Sequence, residues 1–261
     1  MQYGFIGCGN MGGAIARGLS NSTKNIMVSD RSGKAAYLAA ELGLVYGDNA
    51  TIAQECQVIF LGVKPHMMKD VLRPLQQILA ERKPLLISMA AGLTLQTIES
   101  FVGVSLPVIR IMPNTPTALG KGVIPYCCND LVSDEQLCAW KEDMQPCGLV
   151  DRIEERLMDG VSALSGSGPA YLYVMMEAMA DGAVACGIPK EKALEYAAMT
   201  MVGAAEIYLQ THTHPAALKD AVCSPGGSTI AGVKALEDGG FRSTVMNCVM
   251  AACKRNSELG K

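Results

Sequence analysis

Residues 4–19 read GFIGCGNMGGAIARGL. Gly7, Gly9 and Gly12 form a G-x-G-x-x-G array between an apolar run at 3–7 and a helical pattern at 11–20. The array alone is a weak signal; its place between a strand and a helix gives it meaning. In such a turn the first glycine permits a sharp reversal and the second lets backbone approach a pyrophosphate. The third lets helix and strand pack closely. The stretch reads as a dinucleotide-binding turn that opens an α/β sheet. The bland alternative is a glycine-rich turn with no ligand.

Outward from that turn, short Ile-, Val- and Leu-rich runs recur. YGFIG (3–7), NIMVSD (25–30), QVIFLGV (57–63), PLLISMA (84–90), PVIRIM (107–112) and GVIPYC (122–127) read as strands buried on both faces. Helical patterns such as 11–20, 33–42 and 67–80 lie between them. Strand alternating with helix implies parallel crossovers. The expected fold is therefore α/β, with a Rossmann-like, doubly wound, mostly parallel sheet over 1–152 and an all-helical domain over 153–261.

The second half is expected to hold helices at 169–187, 190–210, 214–222, 228–238 and 241–257. Leu172, Met175, Met176, Met179, Ala183 and Cys186 repeat at helical spacing, and Pro169 suits a first turn. Small residues such as Gly182, Ala197, Ala198 and Gly203 let helices approach closely. Such helices make a thin core alone, so this half is expected to bury its apolar faces against a second copy of the chain. An ordinary monomeric bundle is the alternative.

Composition narrows the function. With 22 basic and 25 acidic residues the formal charge is -3, and no long basic run occurs. A nucleic-acid surface needs clustered Lys and Arg, and a base-stacking platform needs more than 4 Phe and 1 Trp. The first strand is expected directly after Met1, with no signal peptide and no membrane-length apolar run. A cytoplasmic protein with no nucleic-acid and no membrane partner is expected. The 10 cysteines are scattered without a Cys-x-x-Cys pair and read as reduced, small apolar side chains. The 3 histidines, His66, His212 and His214, lack ligand spacing, so no metal is expected.

Ligands in open α/β sheets bind beyond the carboxyl ends of strands. Lys64 and His66 follow one strand, and Asn114 and Thr115 stand between prolines after another. As an isolated residue, each reads as structural before it reads as functional. Asp30 ends the second strand, where an acid bonds adenosine ribose hydroxyls and favours NAD. Arg31, Ser32 and Lys34 follow at once and are groups that hold a 2′-phosphate. The two signals compete, and Asp30 with Arg31 also reads as a plain solvated turn. A second glycine turn, SPGGST at 224–229, opens the helix expected from 228. It reads either as a helix cap or as a nest of bare N–H groups for an anion.

Seven stretches occur in a telling order: FIGCGNMG, VKPHMM, SMAAGLTL, RIMPNTP, LSGSGPAYLY, EAMADGAV and HPAALKDAVCSPGGSTIAGVKALE. Together they resemble pyrroline-5-carboxylate reductase over residues 2–257. The resemblance implies reduction of L-1-pyrroline-5-carboxylate to L-proline by NADPH or NADH. It implies a helical dimerisation domain interlocked with its partner's, as a homodimer or a decamer of five dimers. Carried over, Gly7, Cys8, Gly9, Asn10 and Met11 would hold the cofactor phosphates. Asp30 and Arg31 would stand at its ribose, and Asn49, Val63, Lys64, Pro65, Ala90 and Asn114 would line its cleft. Ser224, Gly226, Gly227, Ser228 and Thr229 would hold the substrate's carboxylate and ring nitrogen, with Thr229 as the catalytic hydroxyl.

The chemistry asks for no covalent nucleophile, since a hydride attacks the imine carbon once its nitrogen is protonated or hydrogen-bonded. Two other readings stay open. A β-hydroxyacid or other imine reductase is one; the hydroxyacid type would carry a Lys early in the central helix, and none precedes Lys190 there. A non-catalytic NAD(P)H-sensing protein is the other.

Overall fold

Short runs buried on both faces become strands, because alternation sends successive side chains to opposite sides of one sheet. The computed structural model describes residues 1–259. Its strands are β1 (Tyr3–Ile6), β2 (Ile26–Ser29), β3 (Val45–Tyr46), β4 (Val58–Leu61), β5 (Leu85–Ser88), β6 (Val108–Ile111), β7 (Gly122–Cys128) and β8 (Gly148–Arg152). They form one sheet in the order β3-β2-β1-β4-β5-β6-β7-β8. Every neighbouring pair is parallel except β6 and β7.

The α-helices of the first half are α1 (Asn10–Leu19), α2 (Lys34–Leu42), α3 (Asn49–Glu55), α4 (Met68–Leu72), α5 (Gln76–Arg82), α6 (Leu95–Val102), α7 (Asp134–Met144) and α8 (Met158–Val161). Then follow α9 (Gly168–Ala185), α10 (Lys190–Thr211), α11 (Pro215–Ala221), α12 (Ser228–Asp238) and α13 (Phe241–Leu259).

Side-chain alternation builds one core on each face of the sheet. Tyr3, Phe5, Val58, Phe60, Leu85 and Ile87 pack with Ile15, Leu19 and Trp140 on one side. Ile6, Ile59, Leu61 and Leu86 pack with Ile52, Leu72 and Ile98 on the other. Phe5 and Phe60 stack across β1 and β4 with ring centroids 4.5 Å apart. Because both faces are covered, β1, β2, β4, β5 and β6 have no solvent side, and their carboxyl ends line up along one edge.

Three local differences from the sequence reading have physical causes. The helix expected at 67–80 is split into α4 and α5 by a 3₁₀ turn at Arg73–Leu75, because Pro74 has no N–H to give the ladder. The sheet carries two strands the sequence reading lacks. β3 is only two residues long, and β8 mixes exposed and half-buried positions, so neither shows an apolar run. β8 pairs with β7 from Gly122–Gly148 to Tyr126–Arg152, which carries the sheet to residue 152.

The chain forms two compact units, Met1–Ser167 together with Ala251 onward, and Gly168–Met250. The end of α13 belongs to the first unit, where Asn256 Nδ2 donates to the Asp159 carbonyl at 3.1 Å. Residues 260 and 261, the end of the expected second domain, lie outside the described residues.

Candidate functional site

After β1 the chain winds outward to β2 and β3, and then returns to β4 on the other side of β1. The crossovers diverge between β1 and β4, which opens a crevice beyond their carboxyl ends. A cleft of about 700 Å³ lies there, in the first unit. Gly7, Gly9, Asp30 and Arg31 line it, and so do Asn49, Val63 and Lys64.

The glycine turn is shaped by contacts that a side chain would destroy. Gly7 has φ +91°, and a Cβ there would stand 2.7 Å from Val63 Cγ1 and 2.8 Å from the Gly62 carbonyl carbon. A Cβ on Gly12 would stand 2.6 Å from the Gly7 carbonyl oxygen. A Cβ on Gly9 would meet nothing within 4 Å, so this glycine faces open space rather than protein. Gly9 is also the N-cap of α1; no side chain caps that helix and no acid sits in its first turn. Bare N–H groups at the positive end of a helix, with backbone open to approach, fit a pyrophosphate.

Ser29 fixes the turn from β2. Its carbonyl accepts the Gly7 N–H at 2.9 Å and the Cys8 N–H at 3.0 Å. Its hydroxyl donates to Asn49 Oδ1 at 2.7 Å. Sequence reasoning stopped at Asp30 and missed Ser29, whose signal was its place as the last buried residue of β2. It also missed Tyr46 and Asp48, which reach the cleft from β3 and from the cap of α3.

The other expected residues are placed as follows. Cys8 and Asn10 line a smaller hollow of about 300 Å³ with Arg17 and Lys34. Met11 is half-buried in the first turn of α1. Pro65 begins a 3₁₀ turn after Lys64. Ala90 is buried just past β5, its N–H on Ser88 Oγ at 3.4 Å. Asn114 is buried and ties loops together: its Nδ2 donates to the Ser165 carbonyl at 2.9 Å and its Oδ1 accepts the Val123 N–H at 2.8 Å. Neither Ala90 nor Asn114 borders the large cleft.

The second glycine turn lies in the second unit. The Ser224 carbonyl accepts the Gly227 N–H at 3.0 Å, and Gly226 adopts φ +69°. Gly227 is the N-cap of α12, again without a side-chain cap and without an acid in the first turn. Ser228 and Thr229 are the first two residues of the helix and cap nothing. The turn is exposed, and among the described residues the Thr229 hydroxyl has no hydrogen-bond partner. Nearby, His212 ends α10 in the left-handed region and His214 starts α11, its Nδ1 accepting the Ala216 N–H at 3.2 Å.

Burial and the Asp30 charge push the Cys8 thiol up to about 12, so the one cysteine in the glycine turn stays protonated. Among the described residues no group of three His, Cys, Asp or Glu side chains is placed to hold a metal ion.

Residues 155–259 match the family model for pyrroline-5-carboxylate reductase dimerisation, and residues 2–92 that for NADP oxidoreductase, coenzyme F420-dependent. The pyrroline-5-carboxylate reductase of Pisum sativum is 40% identical, over 98% of this chain and 95% of its own. A solved pyrroline-5-carboxylate reductase from Coxiella burnetii is 36% identical with TM-score 0.90, covering 100% of this chain and 98% of its own. The Plasmodium falciparum pyrroline carboxylate reductase, solved with NADP bound, is 32% identical with TM-score 0.88 over 100% and 98%. Likeness at this level along the whole length, on a sheet and glycine turn of the expected geometry, shows that the chain belongs to the pyrroline-5-carboxylate reductase family of NAD(P)H-dependent oxidoreductases.

Proposed function

We propose that the protein reduces L-1-pyrroline-5-carboxylate to L-proline, with NADH or NADPH as hydride donor. The observation that carries this reading is a pair of helix starts left bare in the same way. α1 begins on Gly9 and α12 on Gly227, each with no side-chain cap and no acid in its first turn. The reaction brings two anions, the cofactor's pyrophosphate and the substrate's carboxylate, and each bare start suits one of them.

In this reading the backbone of Gly7, Cys8, Gly9, Asn10 and Met11 holds the pyrophosphate. Asp30 and Arg31 meet the adenosine end, and Asn49, Val63, Lys64, Pro65, Ala90 and Asn114 build the walls of the cofactor cleft or hold its loops. Bound NAD(P)H supplies the hydride. Ser224, Gly226, Gly227 and Ser228 hold the carboxylate, and the Thr229 hydroxyl, which can donate or accept, hydrogen-bonds the ring nitrogen. The rate comes from positioning and from polar groups aimed at the charge on that nitrogen. No thiol takes part.

Residues 1–152 serve the cofactor, and 153–261 serve dimerisation and substrate. α9 buries only Ala180, and α10 only Ala193 and Ala197, while Leu172, Met199, Val202 and Met246 are exposed. An apolar surface of that extent supports burial against a second copy. The resemblance extends the dimer to a decamer of five dimers, which sedimentation velocity distinguishes. Among the described residues no helix is long and apolar enough to cross a membrane. We take the enzyme to be cytoplasmic, with a small-molecule substrate and no nucleic-acid or membrane partner; cell fractionation checks this.

The deciding assay mixes purified protein, pyrroline-5-carboxylate and either reduced cofactor, and follows loss of nicotinamide absorbance together with formation of proline. Cofactor binding without turnover would leave a sensor and reject the enzyme.

A further inference from the structure

In the sequence, Asp30 argues for NAD while Arg31, Ser32 and Lys34 argue for a 2′-phosphate. The structure separates these groups. The Ser32 hydroxyl donates to Asp30 Oδ2 at 2.6 Å, and the Gly33 N–H donates to Asp30 Oδ1 at 3.0 Å. Two donors that could hold a phosphate are thus turned onto a carboxylate. Lys34 does not border the large cleft; it lines the smaller hollow beside α1, with Arg17, which is itself paired with Glu41 at 2.7 Å. Of the three phosphate-type residues only Arg31 brings a charge to the cleft.

The remaining charge of the cleft is unfavourable to a further anion. Its lining holds three carboxylates, Asp30, Asp48 and Asp70, against two cations, Arg31 and Lys64. A dinucleotide with its pyrophosphate on the Gly7–Gly12 turn sets its adenosine ribose beyond the end of β2, which is where Asp30 stands. A carboxylate whose position is fixed by two hydrogen bonds can accept from ribose hydroxyls through its remaining lone pairs, and it repels a phosphate.

We infer that the cleft selects NADH over NADPH, with Asp30 as the residue that refuses the 2′-phosphate and Ser32 as the residue that holds Asp30 in place. The inference rests on the reading of this cleft as the cofactor site.

The test uses the full-length protein and two cofactor fragments that differ only in the phosphate in question, ADP and 2′,5′-ADP, titrated calorimetrically. On the unaltered protein ADP should bind about tenfold more tightly than 2′,5′-ADP, and the gap should narrow as salt rises. Asp30→Asn keeps an acceptor for the Gly33 N–H and removes the charge. It should bring the two dissociation constants to within about threefold. Ser32→Ala should not weaken 2′,5′-ADP. Equal or tighter binding of 2′,5′-ADP by the unaltered protein overturns the inference, whether or not the variants fold. So does a ratio that Asp30→Asn leaves unmoved, or loss of 2′,5′-ADP affinity in Ser32→Ala. Absence of turnover with pyrroline-5-carboxylate, alongside the expected fragment ratio, would reject the proposed reaction and keep the selectivity. Turnover with the opposite ratio would do the reverse.

Discussion

Gly7 and Gly9 stand two positions apart and answer to different constraints. Gly7 is confined by its own fold, with φ +91° and Val63 where a Cβ would go. Gly7→Ala should therefore cost roughly 1–3 kcal/mol of stability, read as a lower Tm. Gly9 has φ -74° and open space, so Gly9→Ala should leave Tm unchanged and weaken ADP binding, because the added methyl occupies the ligand's side. Equal melting losses for both variants would reject this division. The buried thiols carry a separate consequence. Burial pushes Cys8, Cys56 and Cys147 up to about 12, and Cys127 up to about 11, from 9.0. The folded chain then holds these protons to higher pH than the unfolded chain. Their contribution to stability is intact below pH 9.0 and is lost as pH rises from there toward about 12. Thermal melts across that window should show Tm falling with pH. At neutral pH the exposed Cys138 should alkylate well before Cys147, which peptide mass spectrometry reads.

At the scale of single elements, the start of α12 decides between two roles for Thr229. Had its hydroxyl capped the helix, its loss would cost stability. Gly227 occupies the cap instead, and Thr229 is the second helical residue. Thr229→Val keeps the shape and removes the donor, so Tm should barely move. A hydrogen bond to a charged nitrogen is worth roughly 1.5–3 kcal/mol, which predicts a fall in kcat/KM of about 10- to 150-fold. ADP affinity, set by the start of α1, should stay the same. An unchanged kcat/KM would remove Thr229 from the reaction. The split of the expected 67–80 helix bears on the cleft of the first unit. Pro74 ends the α4 ladder with a 3₁₀ turn, and Met67, Asp70 and Pro74 line the cleft.

At the scale of the whole molecule, the two units bury apolar surface to very different degrees. The first has a two-sided core around eight strands. In the second, α9 and α10 keep three buried alanines between them, and large apolar side chains face outward. A charge on that surface should break the oligomer without unfolding the sheet. Burying one valine is worth roughly 1.5–3 kcal/mol, and a twofold interface counts it twice. Val202→Asp should then weaken dimerisation by at least about a hundredfold, seen as a shift to monomer in sedimentation. ADP should still bind. A dimer of undiminished stability would place the interface elsewhere.

The sequence by itself determined the class of fold and the position of its first binding turn. Both are local: apolar runs of strand length, a helical repeat, and three glycines at fixed spacing between a strand and a helix. It also determined the long helices of the second half, because their apolar repeats are long enough to be unambiguous. Tertiary structure decided what depends on partners distant in the chain. β3 and β8 exist only as edges of a sheet already formed, so their own residues carry little signal. Ser29 holds the Gly7 turn from 22 residues away and reaches Asn49 a further 20 along, which no spacing rule announces. The direction of Ser32 and Gly33 toward Asp30, and of Lys34 away from the cleft, is likewise a property of the folded turn. A sequence lists the charged and polar groups near a site, but hydrogen bonding and burial decide which of them remain free to meet a ligand.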